Sequence, residues 1–435
     1  MDTGALYQLF QAHPAVTIDS RRVPADSIFF AIRGERFDGN DFAVAALEAG
    51  AAYAVVDRAA VAAADERCIL VDDSLQLLQQ LARRHRRQFD IPVLAIAGSN
   101  GKTTTKELVS AVLGSHYSVH YTRGNFNNHI GLPLTLLAMP AGVEVAVIEL
   151  GANAPGETNI LCRIAEPTHG LVTNVGKDHL EGFGSPAGVR RANAELYRYL
   201  AARDGVAFVN TDEPHLEALA APVRKQVPYH QSTHPERAAH PYVVQLVGTQ
   251  PFVSAAFIDE AGNFQRIRSQ LIGRYNFQNL MTAVVIGQYF KVPGTKIRQA
   301  IEGYRPSANR SQLLRRGSNT FILDAYNANP SSMEGAIEYF AELQADRKVA
   351  ILGHMLELGE YAAREHERIA RYACSRQFDQ VILVGELFRE MAAALDVLYF
   401  PDAPRLKDWL EAQALENTYF LLKGSRGIRL EEAVG

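Results

Sequence analysis

A glycine-rich segment directly after an apolar strand constrains the fold of this chain more than any other feature. Residues 98–105 read GSNGKTTT and follow VLAIA at Val93–Ala97. Such a turn lets the backbone wrap around a phosphate, which accepts hydrogen bonds from amides at the start of the next helix. The pattern predicts a phosphate-binding loop and a helix that begins near Thr104. The loop residues are Gly98, Ser99, Asn100, Gly101, Lys102, Thr103 and Thr104.

Two side chains of this loop indicate its chemistry. Lys102 would neutralise the β- and γ-phosphates of a nucleotide, and the Thr103 hydroxyl would bind Mg²⁺. ATP and Mg²⁺ are therefore the expected cofactors. The usual pattern, G-x-x-x-x-G-K-[ST], would place its first glycine at residue 96, where this chain has isoleucine. The missing glycine points away from ordinary kinases and GTPases.

Apolar strands alternate with helical stretches beyond this loop. Such alternation is typical of βαβ units, in which helices cover both faces of a mostly parallel sheet. Residues 242–258, which include Gly248 and Pro251, indicate a small antiparallel excursion. The expected strands are Val93–Ala97, Val145–Leu150, Gly170–Val175 and Val206–Asn210 in one sheet, and Phe321–Asp324, Lys348–Leu352, Gln380–Val384 and Tyr419–Leu422 in another.

Glycine and proline residues between these runs predict an α/β protein of three domains. We expect a small α/β N-terminal domain over residues 1–90, a central P-loop ATPase domain over 91–306 and a smaller open α/β domain over 307–435. In the first domain we expect strands at Ser27–Ile32 and Tyr53–Asp57 and helices at 42–50 and 74–89. The basic end of the last helix, residues 83–87, is interpreted as a solvated face.

The composition excludes several functional classes. The 435 residues carry 44 lysines and arginines against 48 aspartates and glutamates, so a formal net charge of -4 offers no global field for nucleic acid. Three cysteines without a CxxC pair fit a reducing compartment. The sequence shows neither an apolar run of about 18 residues nor a signal-peptide pattern. We therefore expect a cytoplasmic protein without a membrane span.

Charged side chains stand at the ends of strands, where open parallel sheets bind their ligands. Glu149 closes the strand VAVIE and is a candidate magnesium ligand beside Thr103. His179, in KDHLEG, is a candidate ligand for a second metal or a phosphate contact. Asp324 would accept hydrogen bonds from ribose hydroxyls, and Arg310 would reach the γ-phosphate as its domain closes.

Asparagines are concentrated in three segments of the chain. These are NFNNHIG at residues 125–131, the pair Asn276 and Asn279, and the turn that contains Asn327 and Asn329. Asparagine often caps helices and forms turns. In a nucleotide-binding chain the same amides could contact adenine, ribose or substrate carboxylates. Both interpretations stay open at this point.

These motifs together resemble the Mur ligase family, which makes the cytoplasmic precursors of bacterial peptidoglycan. The resemblance runs almost end to end. Its segments are DSRRVPADSIFFAIRGERFDGNDF, GSNGKTTTKE, TRGNFNNHIGLPLTLL, IELGANAPGE, TNVGKDHLEGFGS, GRYNFQNLMTA, ANRSQLL, LDAYNANPSSM, LGHMLELGE and LLKGSRG. Within the family, YNANPSSM and LELGE favour the member that joins D-alanyl-D-alanine to UDP-N-acetylmuramoyl-tripeptide.

The resemblance implies a role for each domain. The N-terminal domain would bind the uridine nucleotide of the substrate, the central domain would bind ATP, and a Rossmann-like C-terminal domain would close on both. Catalytic roles fall to Lys102, His179 and Arg310, and Asn279 matches an adenine contact. The uridine nucleotide region matches Ser20, Arg21, Phe37, Asp38 and Gly39. The resemblance also favours a monomer.

Two positions depart from the family pattern. Asn193 stands where family members usually carry a carbamylated, metal-associated lysine, and an amide cannot form a carbamate. His354 replaces the aspartate of a common Gly-Asp-Met tripeptide. Three alternatives stay open: a P-loop switch or motor, a sibling Mur ligase with another amino-acid substrate, and a homologue that only binds nucleotides. The first alternative is disfavoured by the missing glycine and the second α/β domain.

Overall fold

Three separate β-sheets organise the chain. The structure, a computed structural model, describes residues 3–34, 37–234, 242–306 and 309–434. The first sheet is parallel and contains four strands in sequence order. Its strands are β1 (Val16–Thr17), β2 (Ile28–Phe30), β3 (Tyr53–Val56) and β4 (Cys68–Leu70), and its helices are α1 (Thr3–Ala12), α2 (Ala43–Glu48), α3 (Ala59–Ala62) and α4 (Ser74–Arg86).

The central sheet has nine strands in the order β13-β12-β11-β10-β9-β8-β5-β7-β6. Its strands are β5 (Val93–Ala97), β6 (Val119–Tyr121), β7 (Val145–Glu149), β8 (His169–Val172), β9 (Val206–Asn210), β10 (Lys225–Gln231), β11 (Val243–Gly248), β12 (Ser254–Ile258) and β13 (Phe264–Arg268). Pairing is parallel from β6 to β11, while β12 pairs antiparallel with both of its neighbours. The mostly parallel sheet and its antiparallel excursion are therefore confirmed.

Helices cover both faces of this central sheet. They are α5 (Lys102–Gly114), α6 (Gly131–Leu137), α7 (Glu157–Ala165), α8 (Leu180–Phe183), α9 (Pro186–Ala201), α10 (Leu216–Ala220), α11 (Tyr275–Tyr289) and α12 (Gly294–Gly303). One face packs on α5 and α11, and the other packs on α7 and α9. Within the described ranges no helix is long and apolar enough to cross a membrane.

The C-terminal sheet contains five parallel strands and one antiparallel edge strand, in the order β14-β15-β19-β16-β17-β18. The strands are β14 (Gln312–Arg316), β15 (Asn319–Asp324), β16 (Arg347–Gly353), β17 (Gln380–Val384), β18 (Leu398–Phe400) and β19 (Thr418–Lys423). The helices are α13 (Pro330–Glu342), α14 (Ala362–Cys374), α15 (Arg389–Leu395) and α16 (Ala403–Gln413). The three-domain α/β class is confirmed, while the boundaries at residues 90 and 306 stay a prediction.

The basic end of α4 differs from the expectation of a solvated face. Arg86 is 6% exposed and donates to the carbonyls of Phe89 (2.7 Å), Ala165 (3.1 Å) and Glu166 (3.3 Å). Arg83 and Arg87 bind the Glu166 carboxylate at 2.8 and 2.6 Å. The interpretation was wrong for Arg86, which is buried because α4 packs on α7 of the central domain, whereas Arg84 and Arg87 remain exposed.

Glu166 is stabilised as a carboxylate in this joint. Burial alone raises its pKa, but hydrogen bonds from Arg87 and Arg83 outweigh that effect and lower the pKa. The residue ends α7 with a positive φ of 44°, so its side chain turns back toward α4. The N-terminal and central domains are thus joined by hydrogen bonds and ion pairs between the arginines at the end of α4 and the end of α7.

Candidate active site

Two glycines let the phosphate loop fit between β5 and its neighbours. Gly98 (φ 124°) and Gly101 (φ 78°) lie in the left-handed region of the backbone. A side chain at Gly98 would overlap Thr173, and one at Gly101 would overlap the amide of Asn279. Gly101 also serves as the N-cap of α5, so the helix begins at Lys102, two residues before the predicted start. The loop amides and the positive end of the helix therefore face the same space.

The loop is held in place from the adjacent strand exit. Asn174 Oδ1 accepts from the Asn100 amide at 3.0 Å, and Thr173 Oγ1 donates to the Asn100 carbonyl at 2.7 Å. Ser99 Oγ accepts from the Gly176 amide at 2.9 Å and contacts the Asp178 carboxylate. These bonds fix the loop shape within the protein itself, so phosphate binding requires little reorganisation.

Lys102 lies across the mouth of the loop. Its ammonium donates to the carbonyls of Gly98 and Ser99, the latter at 3.2 Å. Both carbonyls belong to the loop, so the positive charge is held where the phosphates of a nucleotide would lie. Thr104 lines the same cavity one residue beyond Thr103.

A buried carboxylate stands behind the loop. Glu149 is 2% exposed, and its Oε1 accepts from Thr103 Oγ1 (3.0 Å) and Asn127 Nδ2 (2.7 Å). Its Oε2 has no hydrogen-bond partner. A carboxylate oxygen that accepts no hydrogen bond, beside a threonine hydroxyl, fits a magnesium ion. Among the described residues there is no group of three His, Cys, Asp or Glu side chains, so the remaining ligands of such an ion would be phosphates and water.

Lys106 is a functional candidate that the motif did not reveal. It is 1% exposed on α5, and its Nζ lies 3.6 Å from Glu149 Oε2. A fully buried lysine requires a charged partner. A usable signal existed in the sequence, because Lys106 follows Lys102 by four residues and therefore shares its helix face. Lys106 compensates the charge of Glu149.

His179 is placed against a carboxylate of the C-terminal domain. Its Nδ1 lies 2.8 Å from Glu357 Oε2, and this contact lowers the pKa of Glu357. The Glu181 amide donates to the Glu357 carbonyl at 3.1 Å, which ties the two segments together. The LELGE motif thus supplies a partner that orients the candidate metal ligand His179. Both His179 and Glu149 line the cavity.

The C-terminal domain forms the opposite wall. Asp324 Oδ2 lies 2.6 Å from Nζ of Lys423, which is buried on the neighbouring strand β19, and Asp324 Oδ1 accepts from the Ser311 amide at 2.9 Å. Arg310 packs on Tyr326, with 3.6 Å between the guanidinium carbon and the ring centroid. Lys423 and Tyr326 were missed, because LLKGSRG and YNANPSSM do not show which of their side chains face the cavity.

Asparagines connect the two walls of the site. Asn329 Nδ2 donates to Asn100 Oδ1 at 2.8 Å, and the Asn329 side-chain oxygen caps α13. Asn327 lines the cavity nearby. Asn279 accepts from Thr105 Oγ1 at 3.0 Å and donates to Asn276 at 2.8 Å. Its observed contacts hold α5 against α11, and its adenine contact stays a prediction.

One cavity of about 410 Å³ brings most of the predicted residues together. Gly98 belongs to the loop but does not line the cavity, and the other nucleotide and metal candidates do. The predicted residues in the lining are Ser99, Asn100, Gly101, Lys102, Thr103, Thr104, Glu149, His179, Asn279, Arg310, Asp324, Asn327 and Asn329. A site of this size, with polar groups converging from two domains, suits a nucleotide and a reacting carboxylate.

The five N-terminal candidates do not line this cavity. Arg21 pairs with Asp19 at 2.8 Å next to Ser20, and Phe37 is 61% exposed. Although burial raises the pKa of Asp38, hydrogen bonds from Asn40 and Arg58 lower it to about 2. A side chain at Gly39 would meet the Ile32 backbone at 2.6 Å, so this glycine permits close chain packing. Their role in binding a uridine nucleotide stays a prediction.

The two departures from the family pattern lie outside the cavity lining. Asn193 donates to the Val189 carbonyl of its own helix at 3.0 Å and is buried. His354 has a buried Nδ1 without a hydrogen-bond partner, and burial lowers its pKa. Neither side chain is among the described residues that face the loop.

Comparison with known proteins identifies the family to which the chain belongs. Family models for a Mur ligase catalytic domain, a Mur ligase middle domain and a Mur ligase glutamate ligase domain match residues 14–86, 96–287 and 309–426. A UDP-N-acetylmuramoyl-tripeptide--D-alanyl-D-alanine ligase from Bacillus subtilis is 35% identical over 429 residues, which cover 96% of this chain and 92% of that protein. The chain belongs to the Mur ligase family.

Solved structures of Mur ligases are similar to this chain over nearly its full length. A crystal structure of MurF from Acinetobacter baumannii has a TM-score of 0.84 and 27% identity, covering 98% of this chain and 97% of that one. MurF ligase from Thermotoga maritima, solved in complex with ADP, has a TM-score of 0.82 and 26% identity, covering 97% and 96%. All three sheets of this chain therefore have counterparts in these ligases.

Proposed function

We propose that this Mur ligase joins D-alanyl-D-alanine to UDP-N-acetylmuramoyl-tripeptide in an ATP-dependent reaction of peptidoglycan precursor synthesis. The observation that carries the proposal is the single cavity, in which the phosphate loop faces Arg310, Asp324 and Asn329 of the C-terminal domain. Likeness over nearly the full length to ligases of that name supports the choice of substrates. The product is an amide bond, with ADP and phosphate released.

The first step brings two anions together. The terminal carboxylate of the tripeptide attacks the γ-phosphorus of ATP and becomes an acyl phosphate, and ADP leaves. Lys102 and the amides of the loop neutralise the phosphates, and Arg310 approaches them from the opposite wall. Thr103 and Glu149 would hold Mg²⁺, which when bound supplies further charge neutralisation. Positioning and charge compensation are the main contributions of this chain.

The second step forms the amide. The amine of D-alanyl-D-alanine attacks the acyl carbon, the C–O bond to phosphate breaks, and phosphate leaves. Water would hydrolyse the acyl phosphate, so the cavity must be closed during this step. The bond between Asn100 and Asn329 and the contact between His179 and Glu357 span the two walls and support that closure. One chain supplies both walls, so we expect a monomer to be sufficient.

The departure at Asn193 does not favour a non-catalytic homologue. Its amide bonds within α9, while the loop, Glu149 and His179 remain together around the cavity. We propose that Mg²⁺ binding depends on Thr103 and Glu149, with His179 a candidate ligand for a second ion. The bacterial origin of the named relatives supports a place in cytoplasmic precursor synthesis.

Phosphate release from ATP tests the proposal. The purified chain is given the tripeptide substrate, D-alanyl-D-alanine, and both together, with product confirmed by mass spectrometry. We expect rapid release only when both substrates are present. Release that ignores D-alanyl-D-alanine would contradict the ligase assignment. Release with another amino acid, but not with the dipeptide, would identify a sibling ligase instead.

A further inference from the structure

Two guanidinium groups contact the same tyrosine beside the active-site cavity. Arg310 lies 3.6 Å from the Tyr326 ring centroid, and Arg426 lies 5.0 Å from it. Tyr326 and Arg310 line the cavity, whereas Arg426 is exposed. Within the described part of the chain neither arginine has an ion-pair partner. Two uncompensated cations at one aromatic ring indicate a place for a second anionic group, in addition to the phosphates.

The segment that carries Arg426 is held from two sides. Ser425 is buried, its amide donates to the His354 carbonyl at 3.2 Å, and its Oγ accepts from the Leu356 amide at 2.9 Å. The same hydroxyl donates to the Ala328 carbonyl at 3.4 Å. These bonds join the segment after β19 to the end of β16 and to the turn after β15. Arg426 therefore extends from a fixed backbone.

An exposed leucine lies next to the segment that carries this arginine. Leu356 is 42% exposed, and a side chain at Gly427 would approach its Cδ1 to 3.1 Å. The absence of a side chain at Gly427 leaves room for Leu356 beside Arg426. A cation next to an exposed aliphatic side chain suits a ligand that carries both a carboxylate and a methyl group.

The proposed reaction requires such a ligand at a defined distance. The acceptor amine must reach the acyl carbon in the cavity, while the free carboxylate of the dipeptide lies at its far end. Two extended residues span about 7 Å, so this carboxylate must lie outside the region that Lys102 and Arg310 provide for phosphates. Arg426 contacts Tyr326 of the cavity wall but does not itself line the cavity, and it is exposed.

We propose that Arg426, positioned by Tyr326 and Ser425, binds the C-terminal carboxylate of the acceptor dipeptide, and that Leu356 contacts its terminal methyl group. Arg310 then serves the phosphates and Arg426 serves the acceptor. With these separate roles, the site selects an acceptor whose free carboxylate lies at the other end of a dipeptide from its reacting amine. The assignment rests on the proposed function and specifies how its second substrate is recognised.

Paired substrates test the assignment. Wild type and Arg426→Gln are each given D-alanyl-D-alanine and its C-terminal carboxamide, with ATP and tripeptide saturating. Loss of a charge-assisted pair predicts that wild type has about 10- to 100-fold higher kcat/KM for the acid than for the amide. In Arg426→Gln this preference should fall to about threefold or less, with the KM for ATP unchanged.

Matched variants separate recognition from folding. Arg429→Gln removes an exposed arginine three residues along the chain, which pairs with Glu432 at 3.3 Å, and should keep the wild-type preference. Arg426→Lys should restore part of it. Leu356→Ala should lower kcat/KM for D-alanyl-D-alanine by about fourfold and leave that for D-alanyl-glycine unchanged.

The outcomes distinguish the two proposals. If wild type ligates the acid and the amide equally well, or if Arg426→Gln retains the full preference, Arg426 does not bind the carboxylate and the inference is wrong. If wild type ligates neither dipeptide, the proposed function itself fails.

Discussion

The central domain is joined to its two neighbours in different ways. At the N-terminal joint, α4 packs on α6 and α7, and Arg86 is buried among carbonyl acceptors. At the C-terminal joint, Leu180 of the central domain and Met355 of the C-terminal domain belong to one apolar cluster, and polar pairs also cross the joint, including Asn100 with Asn329 (2.8 Å) and Lys177 with Glu365 (2.7 Å). In the described part of the chain, only the second joint borders the cavity, so we expect it to control the chemistry and the first joint to contribute mainly to stability. Movement of the C-terminal domain would open the cavity without disturbing the N-terminal joint.

The strongest contrast is expected from Lys102→Ala, in the cavity that borders the C-terminal joint. The Lys102 ammonium lies at the loop mouth, where it donates to the carbonyls of Gly98 and Ser99, and its side chain is only partly buried. Loss of its charge should lower kcat/KM for ATP by about a thousandfold, because phosphate neutralisation disappears. The urea midpoint should hardly change. Phosphate release and urea unfolding measure the two quantities, and Lys296→Ala, which replaces a partly exposed lysine on α12, is the control. Equal loss of activity in both variants would contradict the assignment.

Arg86→Met, in the N-terminal joint, is expected to lower stability and to leave activity unchanged. The substitution leaves three carbonyl acceptors without a donor. It should lower the free energy of unfolding by about 3 kcal/mol while folded protein keeps its kcat. Urea unfolding and phosphate release at low temperature provide the measurements. As a control, Arg84→Met replaces an exposed arginine 5.3 Å from the Tyr7 ring and should lower the free energy of unfolding by less than about 1 kcal/mol. A large fall in kcat would show that this joint also controls the chemistry.

The contribution of the N-terminal joint to stability should depend on pH through Glu166. Its pKa is lowered in the folded state, so its stabilisation is present above the unfolded-state value of about 4.3. That contribution is lost as the pH falls through the lower folded-state value. Glu166→Gln should destabilise by about 1 to 2 kcal/mol at pH 7 and much less at pH 3. Urea midpoints across this range test it, with Glu217→Gln as an exposed control. If the midpoints of wild type and Glu166→Gln differ by the same amount at every pH, ionisation of Glu166 does not contribute to stability.

The smallest effect is expected from Asn329→Ser. Serine keeps an oxygen to cap α13 but loses the amide that donates to Asn100. We expect kcat/KM to fall about fivefold with little change in stability, because one hydrogen bond across the cavity is lost. Asn329→Ala also removes the cap and should lower the free energy of unfolding by about 1 kcal/mol. If both variants behave alike in activity and stability, the amide has no separate role in closure.

Strands with a buried, mostly apolar centre were predictable, whereas short edge strands were not. The strands Val93–Ala97, Val206–Asn210 and Gln380–Val384 each contain at least four consecutive apolar residues, and the structure confirms them. Strands β1, β6 and β18 have two or three residues and are partly exposed, so their sequences lack a clear period. Their existence depends on neighbouring strands that offer backbone partners.

The site was predictable where the chemistry lies in one contiguous motif. The loop and Glu149 follow strands of the central sheet and meet at its carboxyl edge, while Asp324 ends a strand of the C-terminal sheet and faces them across the cavity. Lys106 and Arg86 were not identified, because their roles depend on partners far along the chain, Glu149 and Glu166. A basic residue beside a helix motif has the same local pattern whether it meets solvent or a buried carboxylate.

Asn329 reduces the entropic cost of closing the cavity. Its side-chain oxygen is already engaged at the start of α13, so the amide has a fixed orientation before it meets Asn100. A free side chain would lose rotamer freedom at that moment, which opposes closure. Here that freedom is lost when the C-terminal domain folds. Each catalytic cycle can therefore open and close the site without ordering this contact again.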